Sequence, residues 1–176
     1  MAIDTVKSFS RSEKTKKRAM RMSNQKSINH SVLGELVRVA DIDWWSGSIV
    51  LAENVKVRLG INSSPSADLN IQVIEKFVGW YPENQNELLK NIGYELFNHD
   101  LIHGENFIRN VRDLADGEYE KEHKILESKV DKSIAIKDIN ALDGELKVCV
   151  SVGEYTGGHP IEASLSEKYK VTSLDH

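Results

Sequence analysis

Cysteine and long apolar runs are scarce in this chain of 176 residues. The single cysteine, Cys149, excludes an internal disulfide framework and fits a reducing compartment. No apolar run approaches the ~20 residues that a transmembrane helix needs. The N-terminus also lacks the apolar core of a signal peptide. We therefore expect a cytoplasmic protein that has no membrane contact.

The composition that is present fits a globular protein, with 40% hydrophobic and 28% charged residues. The net charge of −4 is unevenly distributed along the chain. Residues 1–30 hold eight basic and two acidic residues, a net +6. Residues 31–176 hold 15 basic and 25 acidic residues, a net −10. A basic segment therefore precedes an acidic body.

This charge asymmetry predicts two parts with different partners. We interpret residues 1–30 as a basic, poorly ordered N-terminal arm, and residues 31–176 as a single α+β domain whose ordered structure begins near Val32. An acidic body repels nucleic acid and attracts basic proteins. Nucleic acid is therefore expected only at the arm, and a basic protein is the expected partner of the body.

Hydrophobic periodicity predicts the secondary structure. Alternating apolar residues indicate strands before the helical region and again in the C-terminal third. These strands span residues 33–39, 44–51, 55–61, 134–139, 145–152, 159–165 and 169–174. Helical spacing of apolar residues predicts a helix over 68–81 that ends at Pro82, a second over 83–97 and a third over 105–114. Residues 118–132 fit either an exposed helix or a mobile excursion.

The order of these elements indicates an α+β fold. Because the strands do not alternate with crossover helices, we expect a mostly antiparallel sheet of six or seven strands. Two or three helices are inserted after the third strand. Asp143-Gly144 is a typical hairpin turn between two strands.

Three stretches resemble a bacterial family. The first comprises residues 33–36, 44–50 and 55–61, the second is the helix pair over 68–98, and the third comprises 143–146 and 153–162. Together they are similar to the uncharacterised family "domain of unknown function 2262", over residues 32–175. The family has an aromatic-Gly-Gly-His-Ser-Ile pattern in the third stretch.

The chain departs from this pattern in two places. Tyr155-Thr156 replaces the aromatic residue directly before the Gly-Gly pair, and residues 109–132 are longer and more charged than the family's usual link. Related families include proteins encoded beside polymorphic toxins. The resemblance therefore implies an immunity role and no particular reaction.

Histidines in two places suggest alternative chemistry. His99 and His103 have the i, i+4 spacing that can share a metal on a helix, with Glu105 as a third ligand and Asp100 nearby. We interpret this segment as a polar helix end with two surface histidines, and a metal site is the alternative. His159 follows Gly157-Gly158, which we interpret as a structural turn that needs positive φ at glycine. The alternative is that His159 acts as an acid or a base.

Two groups of residues are candidate partner contacts. Adjacent residues on a strand point to opposite faces. Of Trp44-Trp45, we therefore expect one ring in the core and the other exposed as a binding anchor, beside Asp41 and Asp43. The alternative is that the N-terminal arm or a loop covers both rings. The second group consists of Glu118, Glu120 and Glu122. These either form a solvated face or mimic the phosphate spacing that a nuclease recognises.

No nucleotide-binding or hydrolase motif occurs in the sequence, and Cys149 has no visible partner for nucleophilic catalysis. We therefore expect a non-enzymatic, antitoxin-like immunity protein that needs no cofactor. It would bind and occlude a basic toxin domain, in particular a nuclease. The alternatives are a metal-dependent hydrolase that uses His99 and His103, and a nucleic-acid-binding regulator that uses the basic arm.

Overall fold

Eight strands and two α-helices form the part of the chain that the computed structural model describes, which is residues 27–39, 41–52, 55–63, 67–99, 101–102 and 116–175. The first four strands are β1 (Ser27–His30), β2 (Gly34–Val39), β3 (Trp44–Val50) and β4 (Lys56–Asn62). Helices α1 (Ala67–Asn98) and α2 (Asp116–Ser133) follow. The last four strands are β5 (Ala135–Leu142), β6 (Glu145–Ser151), β7 (Ile161–Leu165) and β8 (Val171–Asp175). The fold is α+β, as the sequence predicts.

All eight strands form one sheet whose spatial order follows the chain from β1 to β8. Neighbouring strands are antiparallel except β4 and β5, which are parallel. The exception has a simple cause: parallel neighbours need a long crossover connection, and the helical region between β4 and β5 supplies it. The sheet is therefore mostly antiparallel.

The sheet curls around the N-terminal half of α1. At one edge, His30 Nε2 lies 3.6 Å from Glu75 Oε1 on the helix. Near the other edge, the ring centroids of Tyr169 and Trp80 are 4.4 Å apart. Strands β1 and β8 would be about 30 Å apart in a flat sheet, whereas residues 75 and 80 of a helix are about 8 Å apart. Both edges therefore bend towards the same helix.

The hydrophobic core lies between α1 and the concave face of the sheet. Strand residues alternate between this face and the convex face, as Val57, Leu59 and Ile61 show by being almost fully buried. The helix contributes one continuous buried stripe. Its apolar members are Ile74, Phe77, Tyr81, Leu88, Ile92 and Leu96.

Two helix predictions need correction. The segments 68–81 and 83–97 form one continuous helix with Pro82 inside it. Proline removes one helical hydrogen bond, but Pro82 is exposed, where solvent compensates for that loss. The buried stripe runs past Pro82 and holds both halves on one sheet. The predicted helix 105–114 lies outside the described residues, and residues 118–132 form most of α2.

The strand count also needs correction, because the sheet has eight strands rather than six or seven. The extra strand is β1, which pairs antiparallel with β2. It falls in the predicted arm, before Val32, and is largely exposed, so it carries no hydrophobic alternation that would reveal it. The helices therefore follow the fourth strand, not the third. Residues 1–26 of the arm lie outside the described residues.

Neither helix of the described chain combines the length and the apolar character needed to span a bilayer.

Candidate functional site

Three turns and the start of α1 meet at one end of the sheet. Strands β2, β4, β5 and β7 all point towards this end, because the sheet is antiparallel except at the β4–β5 pair. The turns after β2, β5 and β7 therefore lie there together with the first turn of α1. We call residues 41–44, 67–70, 143–145 and 166–170 the turn end.

Asn70 fastens the helix to the sheet at the turn end. Its side chain is fully buried. Asn70 Oδ1 accepts a 2.8 Å hydrogen bond from the backbone N–H of Gly144, and Nδ2 donates a 3.0 Å bond to the carbonyl of Asn62. A buried amide is costly unless it is hydrogen-bonded. Its two bonds fix the helix against β4 and the β5–β6 turn.

Asp43 orders the turn between β2 and β3. Its carboxylate accepts 2.7 Å hydrogen bonds from Arg38 Nη2 and Ser63 Oγ. The hydrogen bond from Ser63, followed by the one from Arg38, holds the pKa of Asp43 below its ordinary value. Asp43 was predicted as a partner contact, and the structure shows its carboxylate bonded within the protein.

The tryptophan pair lies immediately after this turn, and neither ring is fully buried or fully exposed. Trp45 is on the concave face and packs against the core. Trp44 is on the convex face, where its ring covers Gly60: a Cβ at Gly60 would lie only 3.1 Å from Trp44 Cζ3. The two rings are therefore both half-buried, which lies between the predicted exposed anchor and the alternative in which both rings are covered.

A row of side chains on the convex face extends from Trp44 across the turn end. Trp44 pairs with Asn62, and Leu142 pairs with Glu145. The β4–β5 register places Asn62 beside Leu142, because Ile61 pairs with Ala141. The row therefore spans four strands, with an aromatic ring at one end and a carboxylate at the other, about 14 Å apart.

Asp143 and Glu145 were not predicted as site residues. Both are exposed and lie at the same end of the sheet as Asp41. The sequence signal for them is the Asp-Gly turn, which marks a strand end but does not reveal which other turn lies beside it.

The turn end is predominantly acidic. It holds six carboxylates and two lysines. The carboxylates are Asp41, Asp43, Asp68, Asp143, Glu145 and Glu167, and the lysines are Lys168 and Lys170. Asp43 forms an ion pair with the neighbouring Arg38. A net negative potential results, which attracts cationic groups.

The turn end also holds all the non-glycine residues with positive φ in the described part of the chain. They are Asp43 (φ 53°), Asp143 (φ 52°) and Tyr169 (φ 57°). Aspartate tolerates this left-handed region, but a bulky residue such as tyrosine rarely adopts it. Strained backbone persists where the surrounding structure enforces it, and it is concentrated at functional sites.

The second predicted group, Glu118, Glu120 and Glu122, lies far from the turn end. All three are exposed at the start of α2. The neighbouring His123 ring contacts Phe97 at the C-terminal end of α1 in a tilted arrangement, with ring centroids 5.2 Å apart. Helix α1 has 32 residues and is about 48 Å long, so the two acidic groups cannot form one compact surface.

Helical geometry also divides these three glutamates. Residues four apart share a helix face, so Glu118 and Glu122 point in one direction and Glu120 in nearly the opposite one. The alternation in the sequence would form one row on a strand. On the observed helix it does not.

The candidate metal site is only partly described. His99 is exposed after the end of α1, with Nε2 3.8 Å from Glu95 Oε2. His103 and Glu105, as well as Asp100, lie outside the described residues. Among the residues that the structure describes, no three His, Cys, Asp or Glu side chains are placed to hold a metal ion.

The Gly-Gly-His segment follows a short 3-10 helix, Gly153–Thr156. Gly157 and Gly158 have φ of 63° and 78°, in the region that favours glycine. The backbone N–H of His159 donates to the carbonyl of Thr156 at 3.2 Å, and Thr156 Oγ1 donates back to the carbonyl of His159 at 2.8 Å. These reciprocal bonds close the loop before β7.

A cross-strand row of polar residues surrounds Cys149 on the convex face. Arg58 forms a two-pronged ion pair with Asp138, and the register then places Cys149 between Asp138 and Glu162. Burial, followed by the charges of these two carboxylates, raises the pKa of the Cys149 thiol. A protonated thiol is a weak nucleophile, so this environment opposes cysteine chemistry.

The chain matches no protein-family model, no curated protein and no solved structure. The resemblance to the family "domain of unknown function 2262" therefore stays a prediction.

Proposed function

We propose that this chain is a non-enzymatic immunity protein that binds a basic toxin domain through the turn end of its sheet and occludes the toxin's active surface. The observation that carries this proposal is the row on the convex face. It places Trp44 and Leu142 in line with the carboxylate of Glu145, and the turns that contain Asp41 and Asp143 lie at the same end of the sheet. An aromatic anchor surrounded by exposed acids suits a partner whose surface is basic.

The charge of the whole body supports the same partner. The described residues include 21 acidic and 13 basic side chains, a net −8. A charge of this sign accelerates encounters with a cationic protein, and salt weakens the effect. Association should therefore be fast at low ionic strength and slower as salt is added.

The rigidity of the turn end is a further support. Asn70 fixes the helix start to two strands, and Asp43 is bonded to both Arg38 and Ser63. A surface that is ordered before binding loses less conformational entropy on association. The resemblance to the family "domain of unknown function 2262", whose related families include proteins encoded beside toxins, is the support for the immunity role in particular.

Growth rescue tests this proposal. Any toxin-like domain encoded beside the gene is expressed with and without this chain, and surviving cells are counted. We expect rescue by the wild type. We expect the triple variant Asp41→Asn, Asp143→Asn, Glu145→Gln to lose at least about tenfold in association rate at low salt and to rescue less well. Asparagine tolerates the positive φ at position 143, so the turn is preserved.

A matched control removes three negative charges elsewhere. The variant Glu83→Gln, Glu87→Gln, Glu154→Gln changes exposed residues away from the turn end and should rescue like the wild type. A third variant, Glu118→Gln, Glu120→Gln, Glu122→Gln, tests the acidic start of α2. Equal loss in all three variants would contradict a contact at the turn end, and absence of rescue by soluble wild type would contradict immunity against that toxin.

A further inference from the structure

A groove at the turn end lies beside the acidic row, on the helix side of the sheet. It has a volume of about 520 Å³ and is bordered by the first turns of α1, the β5–β6 turn and the β7–β8 turn. Pockets that hold a small ligand commonly have volumes of about 300–1,000 Å³. The groove is therefore large enough to hold an apolar side chain.

Apolar side chains form one part of the groove's walls, and polar residues form the rest. The apolar side chains include Leu69, Val73, Leu146, Leu165 and Tyr169. Leu69 is 48% exposed although it contacts the hairpin turn, where a Cβ at Gly144 would lie 2.9 Å from Leu69 Cδ2. Part of a leucine side chain thus remains open to solvent beside the groove. Burial of such apolar surface favours binding.

Tyr169 forms a rigid wall of the groove. Its ring stacks on Trp80 at 4.4 Å and meets Phe77 edge-on at 5.6 Å. Its backbone N–H donates to the carbonyl of Ser166 at 2.8 Å, and the Ser166 N–H donates to the carbonyl of Lys170 at 2.9 Å. These bonds hold Tyr169 in its strained left-handed conformation, so the wall exists before any partner binds.

The rim of the groove determines the sign of its partner. Asp143 and Glu167 are both exposed at the rim, and Lys76 is the cation that faces them. Lys168 and Lys170 belong to the same turn as Glu167, and the turn end as a whole has six carboxylates against these two lysines, so the surroundings of the groove are acidic. Cationic residues that flank an apolar side chain would meet complementary charge there.

We propose that this groove binds an apolar side chain of a basic protein segment, with lysine or arginine residues on either side contacting Asp143 and Glu167. This inference rests on the proposed function, because it specifies how a basic partner engages the turn end. The apolar side chain supplies the buried anchor. The flanking cations supply orientation and partner selectivity.

Peptide titrations followed by amide NMR of the full chain test this inference. The first probe is the capped peptide Gly-Lys-Lys-Leu-Phe-Lys-Lys-Gly. The second replaces Leu-Phe with Ser-Ser at the same charge, and the third replaces every Lys with Glu. At about 5 mM peptide, a site with a Kd of about 1 mM is largely occupied. We expect the first probe alone to shift the amide signals of Gly144 and Tyr169.

Two lysine substitutions make the test specific. Leu69→Lys places a cation in the groove and should weaken binding of the first probe at least about tenfold. Ile125→Lys makes the same change at an exposed apolar residue of α2 and should leave binding unchanged. Leu69→Ala removes only part of the groove wall and introduces no charge, so the protein should remain folded. We expect this variant to lose less affinity for the first probe than Leu69→Lys does. Equal binding of the Ser-Ser probe or of the acidic probe, or absence of shifts, would overturn the inference.

The two proposals fail in different ways. If the turn-end triple variant abolishes growth rescue while Leu69→Lys rescues normally and no probe binds, the immunity role stands and the groove inference is wrong. If the first probe binds at Gly144 and Tyr169 but no toxin domain is neutralised, the groove inference stands and the immunity role is wrong.

Discussion

The buried side chain of Asn70 accepts a 2.8 Å hydrogen bond from the backbone N–H of Gly144, and this bond joins the first turn of α1 to the β5–β6 turn. Residues 70 and 144 are far apart in sequence. Their contact brings the acidic hairpin turn beside the helix start, and it borders the groove that we propose as a docking site.

Substitution of Asn70 should therefore destabilise the whole turn end. Asn70→Ala removes the bonds to Gly144 and to the carbonyl of Asn62 and leaves buried polar groups poorly compensated. We expect a loss of about 1–3 kcal/mol in the free energy of unfolding, measured by urea denaturation with an unchanged m-value. Asn86→Ala, at an exposed site on the same helix, should change it by less than about 0.5 kcal/mol. Equal effects of the two variants would contradict a bridging role.

Substitution by alanine should change the stability of the protein in opposite directions at Gly60 and at Gly79. A methyl group at Gly60 would collide with the Asn140 side chain and lie 3.1 Å from the Trp44 ring, whereas nothing lies within 4 Å of a Cβ at Gly79 in α1. We expect Gly60→Ala to destabilise the protein by about 1–3 kcal/mol. Gly79→Ala should stabilise it by about 0.5–1 kcal/mol, because glycine is a poor helix former.

Thermal unfolding of the two glycine variants measures whether Gly60→Ala lowers the stability and Gly79→Ala raises it. The fluorescence of Trp44 should also change in Gly60→Ala, because its ring must move. A stable Gly60→Ala protein with an unchanged emission spectrum would show that Trp44 does not rest on the strand.

The sequence predicts the strands wherever one face is buried. Strand β4 alternates cleanly because Val57, Leu59 and Ile61 face the helix while their neighbours face solvent. Strand β1 escapes prediction because backbone pairing with β2, not side-chain burial, holds it in the sheet. The prediction that the helix ends at Pro82 is wrong because the packing of a long apolar stripe on the curled sheet outweighs the local cost of proline in a helix.

The candidate site could be predicted only in part. Asp41 and Trp44 are only three residues apart in sequence, so their combination is visible without a structure. Asp143 and Glu145 join them through strand order and register, which no local pattern encodes. The left-handed conformation of Tyr169 likewise has no sequence signal, because it depends on the hydrogen bonds of the turn and on stacking against Trp80.

Cys149 should react slowly with alkylating reagents in the folded protein. Burial and the nearby carboxylates of Asp138 and Glu162 raise the pKa of its thiol, so the rate of reaction with iodoacetamide should rise with pH at a midpoint above the ordinary value of about 8.5. Asp138→Asn removes one of these charges and releases Arg58, and both changes should lower the midpoint. Glu145→Gln, on the same strand but farther away, serves as the control. A native midpoint at or below that of the urea-unfolded chain would contradict this prediction.

Asp43 should make the stability of the turn end depend on pH. Its pKa is lowered in the folded state by the hydrogen bond from Ser63 and then by Arg38, relative to about 3.9 in an unfolded chain. Between these two pKa values the unfolded chain binds more protons than the folded one, so acid favours unfolding. The stabilisation is fully present above the unfolded value and is lost as pH falls through the lower folded value.

Urea midpoints of wild type and Asp43→Asn between pH 7 and pH 2 measure this dependence. Asp43→Asn should be less stable than wild type at pH 7. The difference should begin to shrink near pH 4, where the carboxylate of the unfolded wild-type chain takes up its proton, and it should disappear as pH falls through the lower folded pKa. Asn86→Ala introduces no titrating group, so its curve should run parallel to that of the wild type. A stability difference between wild type and Asp43→Asn that stayed constant down to pH 2 would contradict this prediction. It would show that the negative charge of Asp43 does not stabilise the β2–β3 turn.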